Sequence, residues 1–431
     1  MKNYFLTTVS SVLLFATLIF TSGCEKDYID PSRPSEEQVT STPKGLTGAV
    51  IGLQRVYTLG RASSLYNTIT INGLVTNELI VVNTGNTAEV QLAAGGTAVD
   101  PTHTMLATFW SSNNKVIYDA NLVITNAAAL ADKNYASGLI AYASIFKALS
   151  IGNLSQNWSS VPDTIGNNVN FISNIEGYRK AVKVLDNAIA AVAANPISAS
   201  FVASVPAGID ITNTLLALKA RYSLFAGDLP VALAAANAVD LTKKSTFNFD
   251  ALTLNPIFEI ATSTNNVVQV KDSTLGLVPA LAPSLTDGRV PFYTSISPTI
   301  LPRYRISGFG AAATTPIPVY LPGEITLIKA EVYARQNDST NSKMFLNMVV
   351  TKSSDPFGVA ANQPAIVSVG SYANLLDQIY RHRSIELYMS GLKLEDMRRF
   401  NRPLTDRKRN FMPYPFLERD NNPNTPADPP F

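Results

Sequence analysis

Apolar residues recurring every three or four positions constrain the fold of this chain more than any other feature, because that period places them on one face of an α-helix. Leu46, Val50, Leu53 and Tyr57 form one such stripe, and Leu106, Trp110, Ile117 and Ile124 form a second. Others run through Leu139, Tyr142, Phe146 and Leu149, through Tyr178, Val182, Leu185 and Ile189, and through Leu215, Leu218 and Leu224. The spacing predicts a mainly α fold, a helical bundle built of paired helices. With 46% hydrophobic and 15% charged residues, the 431-residue chain can bury a sizeable core, and no long linker or charge block divides it. A net charge of +2 offers no bulk attraction toward nucleic acid or anionic lipid.

One pair carries a more specific signal. In LLALKARYSLFAGDLPVALAAANAV, residues 215 to 239, Ala220, Gly227 and Ala232 fall at the offsets of the small residues of a tetratricopeptide repeat. Small side chains let two antiparallel helices approach, and a Gly after the first accommodates a positive φ. EITLIKAEVYARQND, residues 324 to 338, repeats the pattern with Ala330 and with Asn337, which tolerates the left-handed turn almost as Gly does.

Two regions differ in texture. Residues 60–103 include NTGNTAEVQLAAGGTAVDPTH, too polar and Gly-rich for a buried element. Residues 240–315 are rich in Gly, Pro, Ser, Thr and Asn, with NNVVQV and DGRVPFYTSI reading as strands or extended loops. Loops on a rigid frame commonly carry function, so a site is expected in these regions.

The N-terminus has signal-peptide layout over residues 1–23: Lys2, an uncharged run from Tyr4 to Phe20, then the small Ser22 and Gly23. A spanning helix is the alternative, but the greasiest part, Ser11 to Phe20, is shorter than the roughly 20 apolar residues a bilayer crossing requires. Cys24 is the sole cysteine, so it forms no internal disulfide and belongs to no cysteine cluster. Following Ser-Gly, it resembles the lipobox of bacterial lipoproteins, whose thiol is acylated and becomes the new N-terminus. Thr21 departs from that pattern, where Leu is usual. Glu25, Lys26 and Asp27 resemble the charged export tag of Bacteroidetes-type surface lipoproteins. Residues 24–45, with Pro31, Pro34 and Pro43, read as the lipidated end and its tether.

Near the other end, YANLLDQIYRHRSIELYMSGLKLEDMRRFNRP predicts a helix marked by Leu375, Ile379, Glu386 and Met389, ended by Gly391, and a second helix in which Glu395 and Arg399 sit four apart. Arg383, Ile385, Glu386, Leu387, Gly391, Asp396, Arg398, Arg399 and Phe400 resemble the R-x-I-E-L-x-x-x-G-x-x-x-x-D-x-R-R-aromatic signature of SusD/RagB outer-membrane lipoproteins, with Ser390 and Lys393 as departures. Trp110, Ile117 and Asn121 resemble the family's W…I…N helix, and VTNELI, ALSIGNLSQNWSSVP, DGRVPFYT and YPFLERDNNPN resemble its other segments. The resemblance extends from Cys24 to Phe431. It implies one SusD-like domain over 46–431: a helical scaffold at 46–239, a loop-rich insertion at 240–315, and C-terminal helices with a proline-rich tail at 316–431. It also implies tetratricopeptide-like pairs packed on an irregular, ligand-facing half, and a lipid-anchored protein on the outer membrane. Such a protein hands glycans or peptides to a SusC-type TonB-dependent transporter and uses no cofactor.

Other classes are less well supported. A glycosidase needs two carboxylates facing across the bond; Glu78 and Asp287 can be nominated only for lying in the loop-rich regions. His103 and His382 are the only histidines, no HExxH or Ser-His-Asp order is present, and His382 between two arginines reads as part of a solvated helix face. The nine Lys and Arg from Arg381 to Arg409 alternate with acids and lack a stacking platform, which favours pairing within helical hairpins over nucleic-acid binding. A tetratricopeptide-type scaffold holding a peptide remains a rival. For a sugar ligand, flat aromatic faces flanked by polar groups are required. Trp158 beside Asn157 has that chemistry, as do Phe292 and Tyr293 after Arg289; for Trp158 the alternative is a plug in the bundle, and for Phe292, next to Pro291, a place in the core is the better reading.

Overall fold

The computed structural model describes residues 36–262 and 266–431. The expected signal peptide, Cys24 and most of the tether lie outside them. Helices dominate: α1 (Glu36–Thr40), α2 (Pro43–Thr58), α3 (Ser64–Val75), α4 (Thr87–Ala94), α5 (Thr104–Ala127), α6 (Lys133–Asn157), α7 (Asn174–Ala194), α8 (Ala199–Ser204), α9 (Ile211–Phe225) and α10 (Leu229–Ala238). After a loop-rich stretch holding the short α11 (Arg289–Tyr293) come α12 (Pro322–Arg335), α13 (Ser339–Val350), α14 (Tyr372–Glu386), α15 (Lys393–Arg399) and α16 (Phe416–Asn421). Many consecutive helices pack against one another: α6 lies against both α5 and α7, α9 against α10, and α12 against α13. Among the described residues no helix is long and apolar enough to cross a membrane.

The two tetratricopeptide-like pairs turn as their residues predict. Gly227 has φ 82° and Asn337 φ 63°. In both turns the next N–H reaches back to the third-last helical carbonyl, Asp228 to Ser223 at 2.8 Å and Asp338 to Tyr333 at 2.9 Å. A left-handed residue so satisfies the carbonyls that a helix end leaves open. Ala220, Ala232 and Ala330 are fully buried at the helix contacts.

Three local expectations are corrected. Helix begins before Leu46, because Pro43 is preset for a first turn and Thr42 accepts the Gly45 N–H at 3.1 Å. Residues 60–103 are not uniformly loop: α3 is buried all round, so it lacks the contrast between faces that marks a helix in sequence. The C-terminal helix stops at Glu386 rather than Gly391, with Met389 left-handed at φ 58°.

Among the described residues, strands occur only as short antiparallel pairs. The register places Leu79 of β1 (Leu79–Val81) opposite Val270 of β5 (Val268–Val270). It places Thr294 of β6 (Thr294–Ile296) opposite Ile306 of β7 (Tyr304–Ile306). β2 (Ser160–Pro162) pairs with β3 (Phe171–Ser173), and β4 (Thr246–Phe247) with β8 (Ile317–Pro318). NNVVQV thus contains a strand, whereas DGRVPFYTSI opens as the short helix α11 before β6.

Candidate functional site

The acidic and basic residues of the C-terminal signature are mostly buried, and one of them, Glu386, fastens the loop-rich half to the helices. Arg289 is wholly buried; its Nε and Nη2 donate to the two oxygens of Asp287 at 2.9 and 2.7 Å, and Nη1 donates to Glu386 Oε2 at 3.3 Å. Lys352 closes the group by donating to Asp355 at 2.7 Å and to Glu386. Buried charges persist where each is paired and hydrogen-bonded. Helix α12 passes so close that a Cβ on Gly323 would lie 1.9 Å from Glu386 Oε1. His382 belongs to this group: it is 1% exposed, with Nδ1 2.9 Å from Arg289 Nη2, not on a solvated face. Burial first, and then the neighbouring Arg289 and Arg381, hold its imidazole well below the usual histidine range.

This clamp fixes α11. Tyr293 turns inward and donates its hydroxyl to the Glu386 carbonyl at 2.5 Å, while Phe292, expected in the core, stays partly exposed because its neighbour Tyr293 takes the inward position. Burial, then the nearby Glu386 carboxylate, push the Tyr293 phenol far up, so it remains a donor. Phe292 meets Phe309 edge to face at 5.3 Å, and Phe309 meets Phe357 at 6.1 Å. Lys244 lies 5.6 Å over the Phe357 ring. Tyr293 packs under Phe309 at 6.0 Å and against Tyr388 at 5.6 Å. The result is a rim of three partly exposed rings on a rigid aromatic base, with an exposed ammonium beside it.

Behind the rim lies a cavity of about 90 Å³ at the seam between the helices and the loop-rich half, walled by Tyr57, Asn153, Arg221 and Tyr222 on one side and by Phe309 and Tyr320 on the other. Arg221 crosses its wall to Glu324, Nε to Oε1 at 2.5 Å and Nη2 to Oε2 at 2.7 Å, tying α9 to α12.

Of the four expected ligand residues, Arg289 and Tyr293 come together under this rim. Asn157 and Trp158 present no face to a ligand. Trp158 is fully buried, donates its indole N–H to the Pro413 carbonyl at 2.9 Å, and packs against Phe109 and Trp110 at 5.9 and 4.8 Å. The Asn157 amide donates to the Asn153 carbonyl at 2.9 Å within its helix. The plug, not the platform, is where the structure places Trp158. Phe309 and Phe357 went unnoticed in sequence; the Gly-Phe-Gly of residues 308–310 was the available signal for the first. Of the carboxylates nominated for hydrolysis, Asp287 is occupied by Arg289 and Glu78 is buried. His103 caps α5, accepting the Leu106 N–H at 3.4 Å. Among the described residues no group of three or more His, Cys, Asp and Glu is placed to hold a metal.

No family model and no curated protein matches the chain by sequence. Solved structures do match it. A SusD superfamily protein from Bacteroides thetaiotaomicron superposes with a TM-score of 0.68 at 14% identity, covering 90% of this chain and 100% of that one. A SusD-like carbohydrate binding protein from Bacteroides vulgatus gives 0.66 at 16% identity, covering 84% and 83%. NanU from B. fragilis gives 0.66 at 12% identity, covering 93% and 99%.

Proposed function

Proceeding from the fold of the SusD superfamily, which this chain has, we propose that the protein is a surface-exposed, glycan-binding lipoprotein. It captures an oligosaccharide on the Phe292–Phe309–Phe357 rim and delivers it to a SusC-type TonB-dependent transporter without cleaving it. The observation that carries the reading is the rim itself: three partly exposed aromatic rings on the loop-rich half, held by buried ion pairs, on a fold whose solved examples include a SusD-like carbohydrate binding protein. Aromatic faces beside polar groups in a preformed site are how proteins hold sugar rings. In this reading residues 46–431 form one SusD-like unit, Tyr293 supports the rim from below, and Arg289 positions α11 without touching the ligand.

Calorimetry over a glycan panel tests it. A Phe309→Ala/Phe357→Ala double variant is expected to lose on the order of tenfold in affinity, since apolar contact contributes about 25 cal/mol per Å² covered and two ring faces are removed. Affinity unchanged in the variant would move the site elsewhere, and a silent glycan panel beside a positive peptide would overturn the ligand class in favour of a peptide-binding protein of the same fold.

Anchoring at the outer membrane, facing outward, rests on Cys24. Multiple acyl chains on that residue would hold the protein firmly, since stable attachment takes at least two lipid signals. Cys24→Ala protein is expected to leave the membrane fraction; its retention there, with cell-surface exposure, would rule the anchor out.

A further inference from the structure

Three left-handed turns meet under the aromatic base, and two of them belong to residues with long side chains. Asn77 has φ 63°, Leu275 φ 53° and Met389 φ 58°. Such conformations are costly for residues with a Cβ and persist where the surroundings over-determine them. The turns are in direct contact. A Cβ on Gly276 would lie 2.7 Å from the Asn77 carbonyl, and the Tyr388 hydroxyl donates to the Glu78 carbonyl at 2.8 Å. The segment after α3, the loop at 271–276 and the turn at 388–391 so form one joint between the helical and loop-rich halves.

Two ionisable side chains are enclosed in it. Glu78 is 1% exposed and Lys393 3% exposed. Lys393 Nζ is directed at the Leu275 carbonyl, 3.1 Å away, and neither carboxylate oxygen of Glu78 closes a hydrogen bond. A carboxylate ionised there would be a buried charge with no hydrogen bond of normal geometry, the Met389 N–H acting on it only weakly, which is unfavourable, whereas the neutral acid is tolerated. We propose that Glu78 and Lys393 form a proton-operated fastener: the joint is tight while the Glu78 carboxyl keeps its proton, and loosens when that proton passes to water.

The surroundings agree with this. Burial raises Glu78 from 4.5 to about 7 against the pull of Lys393 and the Met389 N–H, with Asp396 adding to the rise. Burial lowers Lys393 to about 8, with Glu78 and Asp406 opposing and Lys271 assisting. Tyr388, Tyr293 and Tyr380 also face Glu78, their phenols all pushed upward, and Asp272 faces Tyr388. Because Glu78 is raised in the folded state, its contribution is full below pH 4.5 and is lost as pH climbs through about 7. Lys393 is lowered, so its contribution returns only above about 8. The joint is weakest between the two. Tyr388 and Met389 also wall the cavity, so loosening reaches the underside of the rim.

Hydrogen exchange of the full chain between pH 5.5 and 8.5, corrected for the intrinsic rate, tests the proposal without reference to any ligand. In the native protein, protection of peptides covering 271–277 and 387–393 is expected to fall by about tenfold per pH unit at most while Glu78 titrates. Glu78→Gln is expected to abolish that dependence, and its Tm relative to wild type should rise with pH. Lys393→Met removes the charge that favours ionised Glu78 and is expected to move the transition to higher pH. Native protection that does not change across this range overturns the proposal, whether or not the variants fold. So does a transition that survives Glu78→Gln or stays in place in Lys393→Met. Glycan affinity is read separately at pH 5.5, where loss of the rim reading would leave this result untouched.

Discussion

Replacing Glu331 by alanine is expected to destabilise the protein by about 3–5 kcal/mol, the size of effect seen when one partner of a buried ion pair is removed. Glu331 is fully buried on α12, and its Oε1 accepts from Arg335 Nε at 2.8 Å and Arg399 Nε at 2.7 Å, its Oε2 from Arg399 Nη2 at 2.8 Å. Arg383 lies 3.9 Å away and spends its own fork on Asp396, at 3.0 Å twice. Without Glu331, the guanidinium groups that join α12, α14 and α15 face one another with only Asp396 between them. Burial alone would raise this carboxyl, but Arg399 foremost, then Arg335 and Arg383, bring it down to about 2. Its stabilisation is therefore present above 4.5 and lost as pH falls from there toward 2. Urea unfolding at pH 7 and pH 3 checks both points: the wild type should lose stability over this interval that Glu331→Ala never had. A variant within 1 kcal/mol of wild type at pH 7 would show that helix packing, not this network, holds the C-terminal elements.

Trp158→Ala is expected to cost about 3–5 kcal/mol as well, for a different reason: it empties a filled core site that cannot fully collapse. Trp158 seals α6 against Trp110, Phe109 and the tail carbonyl of Pro413, and the deletion also leaves that carbonyl without its donor. Guanidinium melts should show the loss, while the folded fraction should give the wild-type result on the same glycan panel. A well-folded Trp158→Ala protein with reduced affinity would return Trp158 to the ligand site and displace the rim.

Much of the helical scaffold was legible because its signals are local. A three-to-four period places side chains on one face of the same helix, so the sequence around Leu46, Leu139 or Tyr178 already determines both the element and its buried side. Gly227 and Asn337 likewise act on their own φ angles, and the turns they predict are present. The run from Arg383 to Phe400 pointed to the SusD-like fold and to charges paired within helical hairpins, and Arg383 with Asp396 bears out the pairing. What sequence could not supply was any partner distant along the chain. Glu331 is such a partner for Arg399, and Asp287 and Arg289 meet Glu386 only after the loop-rich half has docked. Burial on every side erased the pattern of α3 and gave His382 a different surrounding from the one its arginine neighbours suggested. The rim shows the same division: Phe292, Phe309 and Phe357 come from three separate segments, and Trp158, chemically as suitable, lies in the core. Residue chemistry determined which side chains were able to hold a sugar; long-range packing decided which of them kept a face toward solvent, because exposure depends on every neighbour at once and local spacing reports only a few.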